Sequence, residues 1–105
     1  MIARAITRSE VESSLRKAKS QILGLGVRRL ALFGSVQRDA ARPDSDVDFL
    51  VEFTPGEKSF DRFSDLGELL EGLLEHRVEL VTPESLSPFL RPIILAEAKD
   101  VIRAA

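Results

Sequence analysis

The chain has 105 residues, 44% of them hydrophobic, and a formal charge of −2, which suits one domain spanning 1–105 with one core. It contains no Cys, which excludes disulfides and thiolate metal sites, and its charge offers no long-range attraction to nucleic acid, so direct DNA binding is not expected. No apolar run is long enough to span a membrane, and "MIARAITRSE" lacks the apolar centre of a secretion signal, so the expected setting is the cytoplasm.

In chain order, Val11, Leu15, Ala18, Ile22 and Leu25 recur at helical spacing and predict an amphipathic helix. Ser9 and Glu12 have capping-box spacing, and Gly24 and Gly26 can stop the helix. Val27 to Phe33 reads as a strand broken by Gly34-Ser35. Val36 to Ala41 suits a short helix before Pro43, and Asp46 to Phe53 a second strand. "TPGEKS" is a turn or loop. Phe60, Phe63, Leu66, Leu70 and Leu73 or Leu74 mark a second amphipathic helix, and Arg77 to Val81 a third strand. Pro88 to Lys99 is expected to be helical, with Pro92 limiting its first turn. "DVIR" at 100–103 reads equally as a fourth strand or a frayed tail. Helices alternating with strands predict an α/β (α+β) domain, a small mixed sheet with helices on at least one face.

Asp46 and Asp48 stand out because they enter an otherwise apolar strand. Residues two apart on a strand point to one side, about 6.5–7 Å apart. The two carboxylates therefore share a face, leaving Val47, Phe49, Val51 and Phe53 for the core. Burying two unpaired like charges is costly. A hard divalent cation such as Mg²⁺ would offset that cost. Glu79 is a similar anomaly in "RVELV". If that strand lies beside Asp46 to Phe53, Glu79 becomes a third ligand in a cluster suited to two-metal phosphoryl chemistry. Gly34-Ser35 directly after a strand can bring backbone N–H groups to an anion, the Ser35 hydroxyl adds a donor, and Arg38 can neutralise phosphate charge. Taken singly, each feature is as readily a turn, a solvated strand edge or a surface charge.

Together they resemble a known signature. Gly34-Ser35, ten residues, then Asp46-x-Asp48 in a hydrophobic strand is similar to the polymerase-β-like nucleotidyltransferase superfamily. "FGSVQRDAARPDSDVDFLVEF" and "RVELVTPESLSPFLRPIILAEA" resemble its minimal nucleotidyltransferase (MNT) branch. The resemblance implies that Asp46 and Asp48 bind metal, that Gly34 and Ser35 hold the triphosphate with help from Arg38 and Ser45, and that Glu79 is the third metal-binding and catalytic acid. It implies two Mg²⁺ ions as cofactor, ATP or another nucleoside triphosphate as substrate, and transfer of a nucleotidyl group to an acceptor hydroxyl. Two departures stand out: Glu79 falls where the family usually has Asp, and Asp39 where many relatives have Gly after the Arg.

Members of this branch are commonly paired with HEPN-type ribonuclease toxins, which some inactivate by attaching AMP to a tyrosine. The resemblance therefore implies an antitoxin in a hetero-oligomer, with the tyrosine on the partner, since this sequence has no Tyr. The short chain also leaves no room for an acceptor domain of its own. An antitoxin acting by contact alone and a homodimeric nucleotidyltransferase of small molecules are the alternatives.

Overall fold

The computed structural model describes residues 4–104. Helix α1 (Arg8–Lys17) leads into α2 (Lys19–Gly24). Strand β1 (Val27–Phe33) is followed at once by the short helix α3 (Gly34–Gln37), then by β2 (Val47–Phe53), α4 (Phe60–Leu74) and β3 (Val78–Val81). A 3₁₀ turn (Pro83–Ser85), α5 (Arg91–Glu97) and β4 (Lys99–Arg103) complete the fold. The strands form one sheet in the order β3-β2-β1-β4. β1 runs antiparallel to β2 and β4, and β2 parallel to β3. A parallel pair requires a crossover, which α4 supplies.

The alternation expected of the strands sorts the sheet into two faces. Val47, Phe49 and Val51 are fully buried with Leu30 and Leu32 against Val11, Leu15, Ile22, Leu66 and Leu70 of the helices. Each such Leu or Phe contributes roughly 1.5–3 kcal/mol on burial. Ala31, Phe33 and Leu50 face the other way. They form a smaller cluster with Val81, Leu86, Ile94 and Ala98, so α5 covers part of this second face.

Several boundaries differ from expectation. The first helix breaks at Ala18 (φ −107°, ψ 16°), although Val11, Leu15, Ala18 and Ile22 still form one buried stripe. Its capping box is Thr7 with Glu10, not Ser9 with Glu12. The Thr7 hydroxyl accepts from the Glu10 N–H (3.1 Å), and the Glu10 carboxylate accepts from the Thr7 N–H (3.0 Å). Gly26, at φ +84°, makes the stop, whereas Gly24 lies within α2. The short helix starts at Gly34, two residues before the expected Val36. The last helix starts at Arg91, with Pro92 in its first turn, where a missing N–H costs nothing. The undecided tail is a strand, β4, paired with β1. No helix among the described residues is long and apolar enough to cross a membrane.

Candidate active site

The site assembles where β1, α3, β2 and β3 meet. Gly34 closes β1 in the left-handed region (φ +78°) and opens α3, a conformation that only Gly adopts without strain. Its missing side chain has a second use. A Cβ at Gly34 would overlap Asp48 Oδ2 and come within 2.9 Å of Asp48 Cγ. The Asp48 carboxyl thus rests in the space the glycine leaves. On the other side, the parallel pairing sets Asp48 opposite Glu79 in register, which gives the two acids one face of adjacent strands. Asp46 lies one residue before β2. The Val47 N–H donates to the Arg77 carbonyl (2.9 Å), fixing the Asp46 backbone beside the start of β3.

The electrostatics are those of a site short of positive charge. Partial burial, followed by the charges of Glu79 and Asp46, pushes the Asp48 carboxyl up to about 6, with Arg38 pulling the other way. Asp46 Oδ1 is turned away from water and has no hydrogen-bond donor among the described residues. Arg77 Nε stands 3.1 Å from it, close enough for an ion pair but not aligned as a hydrogen bond. Among the described residues no three carboxylate or imidazole groups converge as a ready-made metal cage. The donor set nevertheless fits Mg²⁺. That ion prefers hard oxygen ligands and takes one or two carboxylates plus substrate phosphates, and an undonated carboxylate oxygen beside a reluctantly ionising one is what such a cation would satisfy.

The remaining sequence-predicted residues fall around this centre. Ser35 is half-buried in the first turn of α3. The Ser45 hydroxyl accepts from the Arg42 N–H (2.8 Å), holding the turn that delivers Asp46. Arg38, exposed at the end of α3, is paired with Glu97. Asp39 sits at φ +56°, so Gly would be at ease there and Asp is among the few residues that tolerate it. Its carboxylate lies 3.5 Å from Arg8, directed toward α1. Sequence reasoning missed Glu97, whose charge reaches Asp48 from α5 and also holds Arg38. The signal was there: an acid in the last turn of a helix opposes the macrodipole and calls for a compensating cation.

The sequence matches the nucleotidyltransferase domain family over residues 12–101, a span that contains every residue of this site. The chain belongs to that family. As a nucleotidyltransferase it is similar to the protein adenylyltransferase MntA of Thermococcus cleftensis, with 41% identity over 88% of this chain and 93% of that protein. Its fold is similar to that of a solved chain named for the minimal nucleotidyltransferase type, with a TM-score of 0.69, 39% identity, and coverage of 84% of this chain and 93% of the other. Two more distant neighbours share the fold. One is a chain of a toxin–antitoxin structure with AMP-PNP (TM-score 0.69, 22% identity, 89% and 73% covered). The other comes from a complex of a tri-AMPylated Shewanella oneidensis HEPN toxin with an MNT antitoxin (TM-score 0.62, 20% identity, 90% and 71% covered).

Proposed function

We propose that this nucleotidyltransferase is a Mg²⁺-dependent protein adenylyltransferase that neutralises a HEPN-type toxin by transferring AMP from ATP to a tyrosine hydroxyl of that partner. The observation that carries the reading is the placement of Asp48, seated against Gly34 at the β1–α3 junction and paired in register with Glu79. Its similarity to a protein adenylyltransferase supports the reaction class. The neighbour bound to a HEPN toxin supports the partner.

In the reaction, the acceptor oxygen attacks the α-phosphorus of ATP. A new P–O bond forms, the bond between the α-phosphorus and the bridging oxygen breaks, and pyrophosphate departs with that oxygen. Asp46 and Asp48 would hold Mg²⁺, which supplies charge neutralisation at the phosphates. Glu79 receives the acceptor's proton, its exposure leaving it open to an incoming hydroxyl. The first-turn N–H groups of α3, the Ser35 hydroxyl and Arg38 meet the triphosphate. Arg38 has to exchange Glu97 for phosphate oxygen as it does so.

Contact alone is the second reading. It is favoured by the Arg38–Glu97 pair and by acids that, among the described residues, do not converge as a metal cage. Co-expression with the partner toxin separates the two. Under the catalytic reading, Asp48→Asn and Glu79→Gln both bind the toxin and both fail to protect cells. Full protection by both variants would establish contact alone. Protection by Glu79→Gln with failure of Asp48→Asn would remove Glu79 from the role of third acid.

A further inference from the structure

The chain fixes Glu97 from both sides. The residue lies in the last turn of α5, where an acid gains nothing from the macrodipole. Ile94, one turn before it, and Ala98, next to it, pack with Ala31, Phe33 and Leu50 on the second face of the sheet. Phe33 in turn pairs with Asp48 in register. Lys99, two residues on, pairs with Leu32 of β1. At the start of α5 the Arg91 guanidinium donates to the carbonyls of Pro83 (2.9 Å) and Leu86 (3.0 Å). The backbone that carries Glu97 therefore has little freedom. Its carboxylate is paired with Arg38, and the two side chains differ in exposure, 21% for Glu97 against 55% for Arg38. Among the described residues neither has a second ion-pair partner. The Arg38 backbone is held too, its N–H donating to the Gly34 carbonyl (3.1 Å), but its long side chain lies half in water. The acid is the sheltered, anchored member of the pair and the guanidinium is the member free to turn.

We propose that Glu97 is a positioning residue that sets the affinity for nucleotide through Arg38: its carboxylate competes with the triphosphate for one guanidinium, so the native residue holds ATP binding below what the site can reach. This rests on the part of the adenylyltransferase reading in which Arg38 meets the triphosphate. Carboxylate and phosphate oxygens use the same donor fork of Arg, so Arg38 turns from one anion to the other with no change in the backbone of α3 or α5. A ligand draws it across by offering more negative charge than one carboxylate, which a triphosphate does. Glu97 also adds its own negative charge near Asp48, and that charge repels phosphate whether or not Arg38 is present. The competition and the repulsion have the same sign, and only the first depends on Arg38.

The test is a calorimetric titration of the full protein with ATP and Mg²⁺, with thermal melts in parallel. Glu97→Gln removes the charge at nearly constant shape, and Glu97→Ala also removes the amide oxygen that could still accept from Arg38. Each should tighten ATP binding about two- to fivefold, the range set by a partly exposed ion pair. A purely structural role would not give that result, since a loosened α5 weakens binding. In the Arg38→Ala background, Glu97→Gln should leave ATP affinity nearly unchanged. Unchanged or weaker ATP binding in either folded variant, an equal gain in the Arg38→Ala background, or failure of both variants to fold would each overturn the assignment. No ATP binding by the parent would overturn it together with the reading beneath it. Transfer to the HEPN-type partner separates the two claims. A lower KM for ATP in the variants with kcat retained supports both. Tighter ATP binding with no transfer by the parent keeps the role of Glu97 and removes the adenylyltransferase reading. Transfer with KM unmoved in the variants removes that role and keeps the reaction.

Discussion

Replacing Asp48 by Asn should make the metal-free protein more stable, because the carboxylate is held where its ionised form is disfavoured. Burial and the neighbouring acids raise Asp48 from an ordinary 3.8 to about 6. At 1.36 kcal/mol per pH unit that gap corresponds to about 3 kcal/mol against the ionised form. Solvent reaches part of the site and screens it, so about 1–2 kcal/mol is expected in practice. The sign follows from proton binding. Between pH 3.8 and about 6 the folded state holds the Asp48 proton more tightly than the unfolded chain does, so stability falls as pH rises through that window. The penalty is complete above about pH 6 and absent below 3.8. Asn has nearly the same shape, fits the space beside Gly34 and does not titrate. In thermal melts with EDTA, Asp48→Asn should therefore melt roughly 5–10 °C above the parent at pH 7.5, at about 4–8 °C per kcal/mol for a domain near this size. The difference should shrink toward zero at pH 4. A variant equal to or less stable than the parent at pH 7.5, or a difference independent of pH, would refute the account of a charge-starved site.

Gly34→Ala combines a left-handed backbone with an overlap on Asp48. It should lose about 1–3 kcal/mol in denaturant melts and at least a hundredfold in transfer rate, even where it stays folded. Arg38→Ala should raise the KM for ATP about tenfold or more while moving the melting temperature little, since the side chain is largely exposed and its ion pair with Glu97 lies at the surface. Thr7→Ala removes the hydroxyl that caps α1 and should cost about 1 kcal/mol without changing transfer kinetics.

What the sequence disclosed tracks the range of the interaction involved. The alternation in Val47 to Phe53 separates a core face from the side that carries Asp48 within seven residues, so the core assignments could be read locally, and they hold. The position of Glu79 depended on which strand neighbours which, and only the parallel pairing of β2 with β3 supplies that. The cap was ambiguous because Thr7/Glu10 and Ser9/Glu12 have the same spacing. The helix begins at Arg8, with Thr7 as its cap. Gly34 was legible as a tight turn but not as the seat of Asp48, because that contact joins residues on two different strands. Glu97 was lost in the same way. Its partner Arg38 is 59 residues away in sequence, and it comes near Asp48 only because Ile94 and Ala98 anchor α5 on the second face of the sheet.

The central claim is tested most directly by the intact mass of the HEPN-type partner after incubation with this protein, ATP and Mg²⁺. The account predicts that the partner gains one or more AMP groups with the parent protein, that the modified residue is a tyrosine, and that the mass is unchanged with Asp48→Asn. A partner neutralised by the parent yet unchanged in mass with each of ATP, GTP, CTP and UTP would contradict it.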